Sequence, residues 1–121
     1  KDLLEGRTFH YKESLKIDVP ISFFDRGIPD VLAYMDFFGQ QYDDFFTSHC
    51  ENHRYDSIFI VPPWREIYVS DYERMETFEE AESIHHSLMK TYTQFGYNPI
   101  EVPKDDVPNR IDFILKTLKN L

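Results

Sequence analysis

Ser22-Phe23-Phe24-Asp25-Arg26-Gly27-Ile28-Pro29-Asp30-Val31-Leu32-Ala33-Tyr34 is the stretch on which the fold turns. Residues 21–24 are nearly all apolar and stand between Pro20 and a charged turn, which predicts a short buried strand. Pro29 suits the first turn of a helix, where its missing N–H costs no hydrogen bond. Val31, Leu32, Tyr34, Met35 and Phe38 then recur at helical spacing, and Gly39 closes the run. The stretch therefore reads strand, turn, helix, with an acid and a base adjacent at the strand's carboxyl end. A carboxylate there can hold magnesium through water or accept a proton from a hydroxyl nucleophile. A neighbouring guanidinium can clamp a phosphate through two hydrogen bonds. The same pair also serves as a plain surface ion pair at a helix start.

Outward from this segment the pattern repeats. Residues 3–15 predict an amphipathic helix with a loose stripe of Leu4, Phe9, Tyr11 and Leu15. A further helix is expected over residues 41–52. Residues 57–61 are apolar on both faces, as a strand inside a parallel sheet would be, and Pro62-Pro63 stops them. Thr77 and Glu80 have the spacing of a capping box. Behind them Phe78, Ala81, Ile84, Leu88, Met89, Tyr92 and Phe95 share a helix face that Gly96 terminates. Residues 100–102 predict a third strand, and the chain after Pro108 a last helix that presents Ile111, Ile114, Leu115 and Leu118. Strands alternating with helices imply an α/β fold with a parallel sheet, whose ligands bind beyond the carboxyl ends of the strands. Those ends are Asp25-Arg26-Gly27, Pro62-Pro63-Trp64-Arg65 and Pro103-Lys104-Asp105.

Bulk properties narrow the function. The 121 residues make one domain, and 41% hydrophobic content with 11 Phe and 8 Tyr supplies a core. A net charge of −9 argues against a general nucleic-acid binder, yet a few local cations suffice to hold a nucleotide. One cysteine, Cys50, permits no internal disulfide and fits a cytoplasmic setting. No apolar run approaches the roughly 18 residues of a membrane span. His49, Cys50 and His53 fall on one helix, with the histidines at i, i+4, but they lack an obvious fourth metal ligand. The adjacent pair His85-His86 cannot aim both rings at one ion. Asp43-Asp44 and Glu79-Glu80 read as solvated faces.

The segment FFDRGIPDVLAY, residues 23–34, resembles the Asp-Arg-Gly segment of predicted AAA-type ATPases related to the kinase domain of the bacterial NAD regulator protein. More distantly it is similar to the Asp-Arg motif of thymidylate kinases. VPPWREIYVSDYERMETFEEA, residues 61–81, resembles that family's strand and lid, and FGYNPIEVPKDDVPNRIDFIL, residues 95–115, its final strand, base-side loop and closing helix.

The resemblance implies a three-layer P-loop fold, with residues 1–121 as the carboxyl-terminal portion of one domain and a lid over about residues 63–77. It implies that Asp25 is the magnesium-associated or catalytic carboxylate and that Arg26 binds the acceptor or a phosphate. Arg65 and Arg74 would reach a triphosphate from the lid, Lys104 and Asp105 would lie beside the base, and Asp30 and Tyr34 would shape the acceptor pocket. Without the resemblance, Arg65 and Arg74 read equally well as surface partners of Glu66, Asp71 or Glu73.

One element of the family is missing from these residues. No G-x-x-x-x-G-K-[ST] occurs, and none of Gly6, Gly27, Gly39 and Gly96 precedes a lysine. The chain opens on Lys1, so the first strands and the phosphate loop are expected upstream; the first of those strands would run between the strands at 21–24 and 57–61. The expected activity of the full-length protein is ATP- or GTP-dependent, with magnesium: a kinase acting on a small hydroxyl-bearing metabolite such as a nucleoside. The residues shown are expected to be inactive alone. The alternatives are a nucleotide-dependent switch or ATPase, and an interaction domain without catalysis.

Overall fold

The computed structural model describes residues 2–15, 21–67 and 77–120. Five helices and two strands are present among them, in the order α1 (Asp2–Ser14), α2 (Pro29–Phe37), α3 (Asp44–Asn52), β1 (Phe59–Ile60), α4 (Phe78–Gln94), β2 (Ile100–Glu101) and α5 (Val107–Lys119), with a 3₁₀ turn at Arg65–Ile67.

The helix boundaries follow from local chemistry. Thr77 and Glu80 form the expected capping box: the Glu80 N–H donates to Thr77 Oγ1 at 3.1 Å, and the Thr77 N–H donates to Glu80 Oε1 at 3.2 Å. Asp43 caps α3 by accepting from the Phe45 N–H at 3.1 Å, so one of the two acids read as a solvated face has a structural task and α3 starts later than residue 41. Asp106 caps α5 in the same way, through the Asn109 N–H at 2.9 Å. Gly39 and Gly96 end α2 and α4 with φ of 71° and 87°, a conformation that costs a side-chain-bearing residue strain. Each lets the following N–H turn back: Gln40 donates to the Met35 carbonyl at 2.8 Å and Tyr97 to the Tyr92 carbonyl at 3.0 Å.

β1 and β2 run parallel, with Phe59 opposite Ile100 and Ile60 opposite Glu101, and α4 provides the crossover between them. Two of the three expected strands are thus present, although shorter than read. The third, over residues 21–24, is not a strand: the segment has no ladder partner among the described residues, and Ile21 and Phe23 are 50% and 67% exposed. An apolar run predicts a strand only if a neighbouring strand accepts its hydrogen bonds.

The core gathers Leu4, Ile28, Val31, Leu32 and Cys50, with Tyr11, Met35, Tyr42, Phe46, Tyr55 and Phe95 packed around it. α2 lies chiefly against α4. On α1 the inward face is Leu4, Thr8 and Tyr11, not the expected stripe, because Phe9 and Leu15 are exposed. Five residues at 3.6 per turn place Phe9 about 140° around the helix from Leu4, and Leu15 lies beyond the helix end. Phe38, expected on the inner face of α2, is the exposed capping residue that follows it.

Candidate functional site

The Asp25-Arg26-Gly27 turn is held in an unusual backbone shape. Arg26 has φ of 72°, in the left-handed region that non-glycine residues seldom occupy. Hydrogen bonds from four sides hold it there. Arg7 on α1 donates to the Gly27 carbonyl at 3.1 Å, and the Gly27 N–H donates to Asp30 Oδ1 at 3.2 Å. The Ile28 N–H donates to the Tyr55 hydroxyl at 3.0 Å, and the Tyr92 hydroxyl of α4 donates to the same Asp30 oxygen. Asp30 is 8% exposed, so this carboxylate braces the turn from beneath, inside the first turn of α2 where the helix dipole favours negative charge. Burial, then the neighbouring Asp30 charge, pushes the Tyr92 hydroxyl far above its ordinary pKa and keeps it a donor. Burial likewise pushes Tyr55 up to about 12.

Arg26 lies on the outer side of the turn. Its Nη1 donates to the Tyr34 hydroxyl at 3.0 Å, and its guanidinium carbon lies 5.7 Å from the Tyr34 ring centre. That hydrogen bond is the largest cause of a raised Arg26 pKa. Arg26 lines one hollow and Tyr34 another. One, of ≈ 490 Å³, lies between α1 and the turn and is lined by Arg7, His10, Phe23, Phe24, Asp25 and Arg26. The other, of ≈ 380 Å³, opens at the carboxyl ends of β1 and β2, where Val61 and Val102 leave the strands; Tyr34, Trp64, His85, Leu88, Lys104 and Arg110 are in its wall. The second hollow is where a parallel sheet is expected to receive a ligand.

The structure therefore separates the residues read from the sequence. Asp25 and Arg26 line the first hollow, Tyr34 and Lys104 the second, and Asp30 none, being committed to the turn. Asp105 Oδ1 accepts from the Asp106 N–H at 2.8 Å and from Asn109 Nδ2 at 3.1 Å; these bonds, that to Asn109 first, hold its pKa below the usual carboxylate value. Arg65 lies on the 3₁₀ turn beyond β1. It meets Glu79 at 3.3 Å, rather than Glu66, and stacks over the Phe78 ring at 4.2 Å. Arg74 and most of the expected lid lie outside the described residues.

Sequence reasoning weighed His85 only as a metal ligand and missed Arg110. His85 Nε2 lies 3.3 Å from Glu101 Oε1 at the end of β2, and only the inward register of α4 could have singled it out. Arg110 stands one turn into α5, next to the loop already suspected, and its distance in sequence from Lys104 concealed it.

No group of three or more His, Cys, Asp or Glu side chains gathers among the described residues. His49 and His53 instead use Nδ1 on the Phe45 and His49 carbonyls at 2.7 and 2.8 Å, and burial pushes the Cys50 thiol up to about 12. A magnesium ion held by one or two carboxylates and the substrate's own phosphates requires no larger cluster, and the exposed Asp25 fits that demand. No helix among the described residues is long and apolar enough to cross a membrane.

A family model described as an AAA domain matches residues 3–110, and the chain belongs to that family. The family is of the nucleotide-binding, P-loop NTPase type. No curated protein and no solved structure matches the chain significantly.

Proposed function

We propose that the full-length protein binds a nucleoside triphosphate with magnesium and transfers a phosphoryl group to a small hydroxyl-bearing metabolite, a nucleoside being the model acceptor. The observation that carries this reading is the arrangement of the two hollows about Arg26 and Tyr34. The strand-end cleft offers Lys104 and Arg110 to a nucleotide, and the hollow that Arg26 lines offers Asp25 to a hydroxyl. Asp25 would accept the proton of the attacking hydroxyl or sit beside the metal, and Arg26 would stabilise charge on the group in transit. Bound magnesium would supply charge neutralisation on the phosphate oxygens. Arg65 and Arg74 would close over the phosphates with the lid. Membership of the AAA-domain family supports the nucleotide half of this reading.

The test is calorimetric titration of magnesium-ATP and magnesium-GTP into the full-length protein, followed by a screen for phosphate appearing on nucleosides. Asp25→Asn is expected to retain nucleotide binding and lose transfer by roughly 10²–10⁴-fold, the usual contribution of a general base. Failure of both nucleotides to bind a well-folded full-length protein would remove this reading. Slow hydrolysis with no labelled acceptor would replace it with a nucleotide-dependent switch.

A further inference from the structure

The described arginines differ in how their donors are used. Arg7 donates to the Gly27 carbonyl and Arg26 to the Tyr34 hydroxyl. Arg54 donates to the Phe95 carbonyl at 2.7 Å and stacks on Tyr97, and Arg65 pairs with Glu79. Arg110 is the exception: its Nε is buried and donates to no acceptor. A desolvated guanidinium donor without a partner costs free energy, and native structures keep few of them. Arg110 as a residue stands in the wall of the strand-end cleft, together with Lys104, which makes no ion pair among the described residues. No ion pair joins a carboxylate to Arg110 among the described residues, although its charge contributes, as the smallest cause, to the lowered pKa of Asp105. Asp105 is bound to its own loop and to Asn109, and Glu101 faces His85.

We propose that Arg110, with Lys104 beside it, forms an oxyanion subsite of the strand-end cleft, built for a phosphate-class group. Arg110 therefore reads the ligand where Asp105 was expected to, and Asp105 shapes the loop that carries Lys104. A guanidinium in the cleft wall gains most from an anionic oxygen, since charge-assisted bonds are about twice as strong as neutral ones. His85 lines the same cleft, with its Nε2 turned to Glu101. The proposal rests on the nucleotide reading for the identity of the whole ligand, but not for the chemistry of the subsite.

The experiment titrates tripolyphosphate, and separately magnesium-ATP, into the full-length protein and its variants. Arg110→Gln is expected to weaken tripolyphosphate about tenfold or more, as loss of a charge-assisted hydrogen bond implies. Arg110→Lys is expected to lose most of the same affinity, because lysine keeps the charge but not the planar donor fork. Lys116→Gln, on the same helix but paired with Asp112 at 2.9 Å and outside the cleft, should leave binding unchanged. If Arg110→Gln fails to fold, Lys104→Gln on the exposed loop takes its place, with a several-fold loss and a shallower salt dependence expected. Wild-type affinity for tripolyphosphate in the variant, or no binding by the wild type, overturns the subsite. Loss of tripolyphosphate with Arg110→Gln in a protein that never binds ATP would keep the subsite and remove the nucleotide reading. Unchanged ATP binding by Arg110→Gln would do the reverse.

Discussion

Gly27→Ala tests the architecture of the Asp-Arg-Gly turn at its tightest point. A Cβ built on Gly27 would lie 2.5 Å from the Tyr92 hydroxyl and 3.3 Å from Tyr55 Cε2. Neither ring can yield without loss. The Tyr92 side chain is 4% exposed and bonded to Asp30, and the Tyr55 hydroxyl receives the Ile28 N–H. Overpacking of this kind costs about 1–3 kcal/mol. Alanine returns about 0.4–1 kcal/mol by restricting the unfolded chain, since the backbone of Gly27 is not left-handed. The net expectation is a loss of roughly 1–2 kcal/mol. In urea, with a slope of roughly 1–3 kcal/mol/M, that lowers the unfolding midpoint by on the order of 1 M. Tyr92→Phe alone should cost about 1–3 kcal/mol, because it leaves the buried Asp30 carboxylate short of a donor. It also removes the atom with which the new methyl collides. The double variant Gly27→Ala/Tyr92→Phe should therefore lose less than the sum, with a coupling of at least about 0.5 kcal/mol. Strict additivity, or a Gly27→Ala protein as stable as wild type, would refute the tight approach of α4 to the turn.

Further expectations concern separate parts of the fold. Thr77→Ala removes one half of the capping box and should cost about 0.5–2 kcal/mol in urea denaturation, while Thr77→Ser should restore most of it. Gly96→Ala forces a methyl into a left-handed residue and should cost about 1–2 kcal/mol, with no rescue by other side-chain-bearing residues except Asn in part. Stability should depend on alkaline pH in a defined direction. Cys50 and Tyr55 rise from ordinary values of 9.0 and 10.0 to about 12, so the folded state retains protons that the unfolded state gives up. Their contribution is complete below about pH 9 and is lost as pH climbs towards 12; a urea midpoint that rises over this window would contradict it. The same burial predicts that Cys50 reacts with a thiol reagent at neutral pH only at the rate of unfolding, which a denaturant series can check.

The helices were legible because their signals are local. Thr77 with Glu80, Pro29, Gly39 and Gly96 each act within one turn of chain, and the structure uses each as its chemistry implies. The parallel pair of strands was legible from apolar runs ended by proline. Residues 21–24 carry the same kind of run and form no strand, since pairing depends on a neighbour that the run itself does not encode. Within the site, the carboxyl-end rule pointed to Lys104, which lines the cleft beyond β1 and β2, whereas the Asp25-Arg26 turn was reached through a strand at 21–24 that the structure does not form. The rule could not reveal that Asp30 and Tyr92, 62 residues apart, share a hydrogen bond. Nor could it reveal that Arg110 alone among the described arginines keeps a buried donor without an acceptor. Such facts belong to tertiary contact, not to spacing.

Trp64 is the single tryptophan of the chain, and it stands in the wall of the strand-end cleft. The protein thus carries a built-in optical reporter at the place where a ligand is expected. Selective excitation of the indole, away from the 8 tyrosines, isolates the emission of that one wall. A shift in its colour or quenching on titration would time the arrival of a ligand without any label. Silence from Trp64 during a binding event seen by heat would place the ligand in the hollow that Arg26 lines.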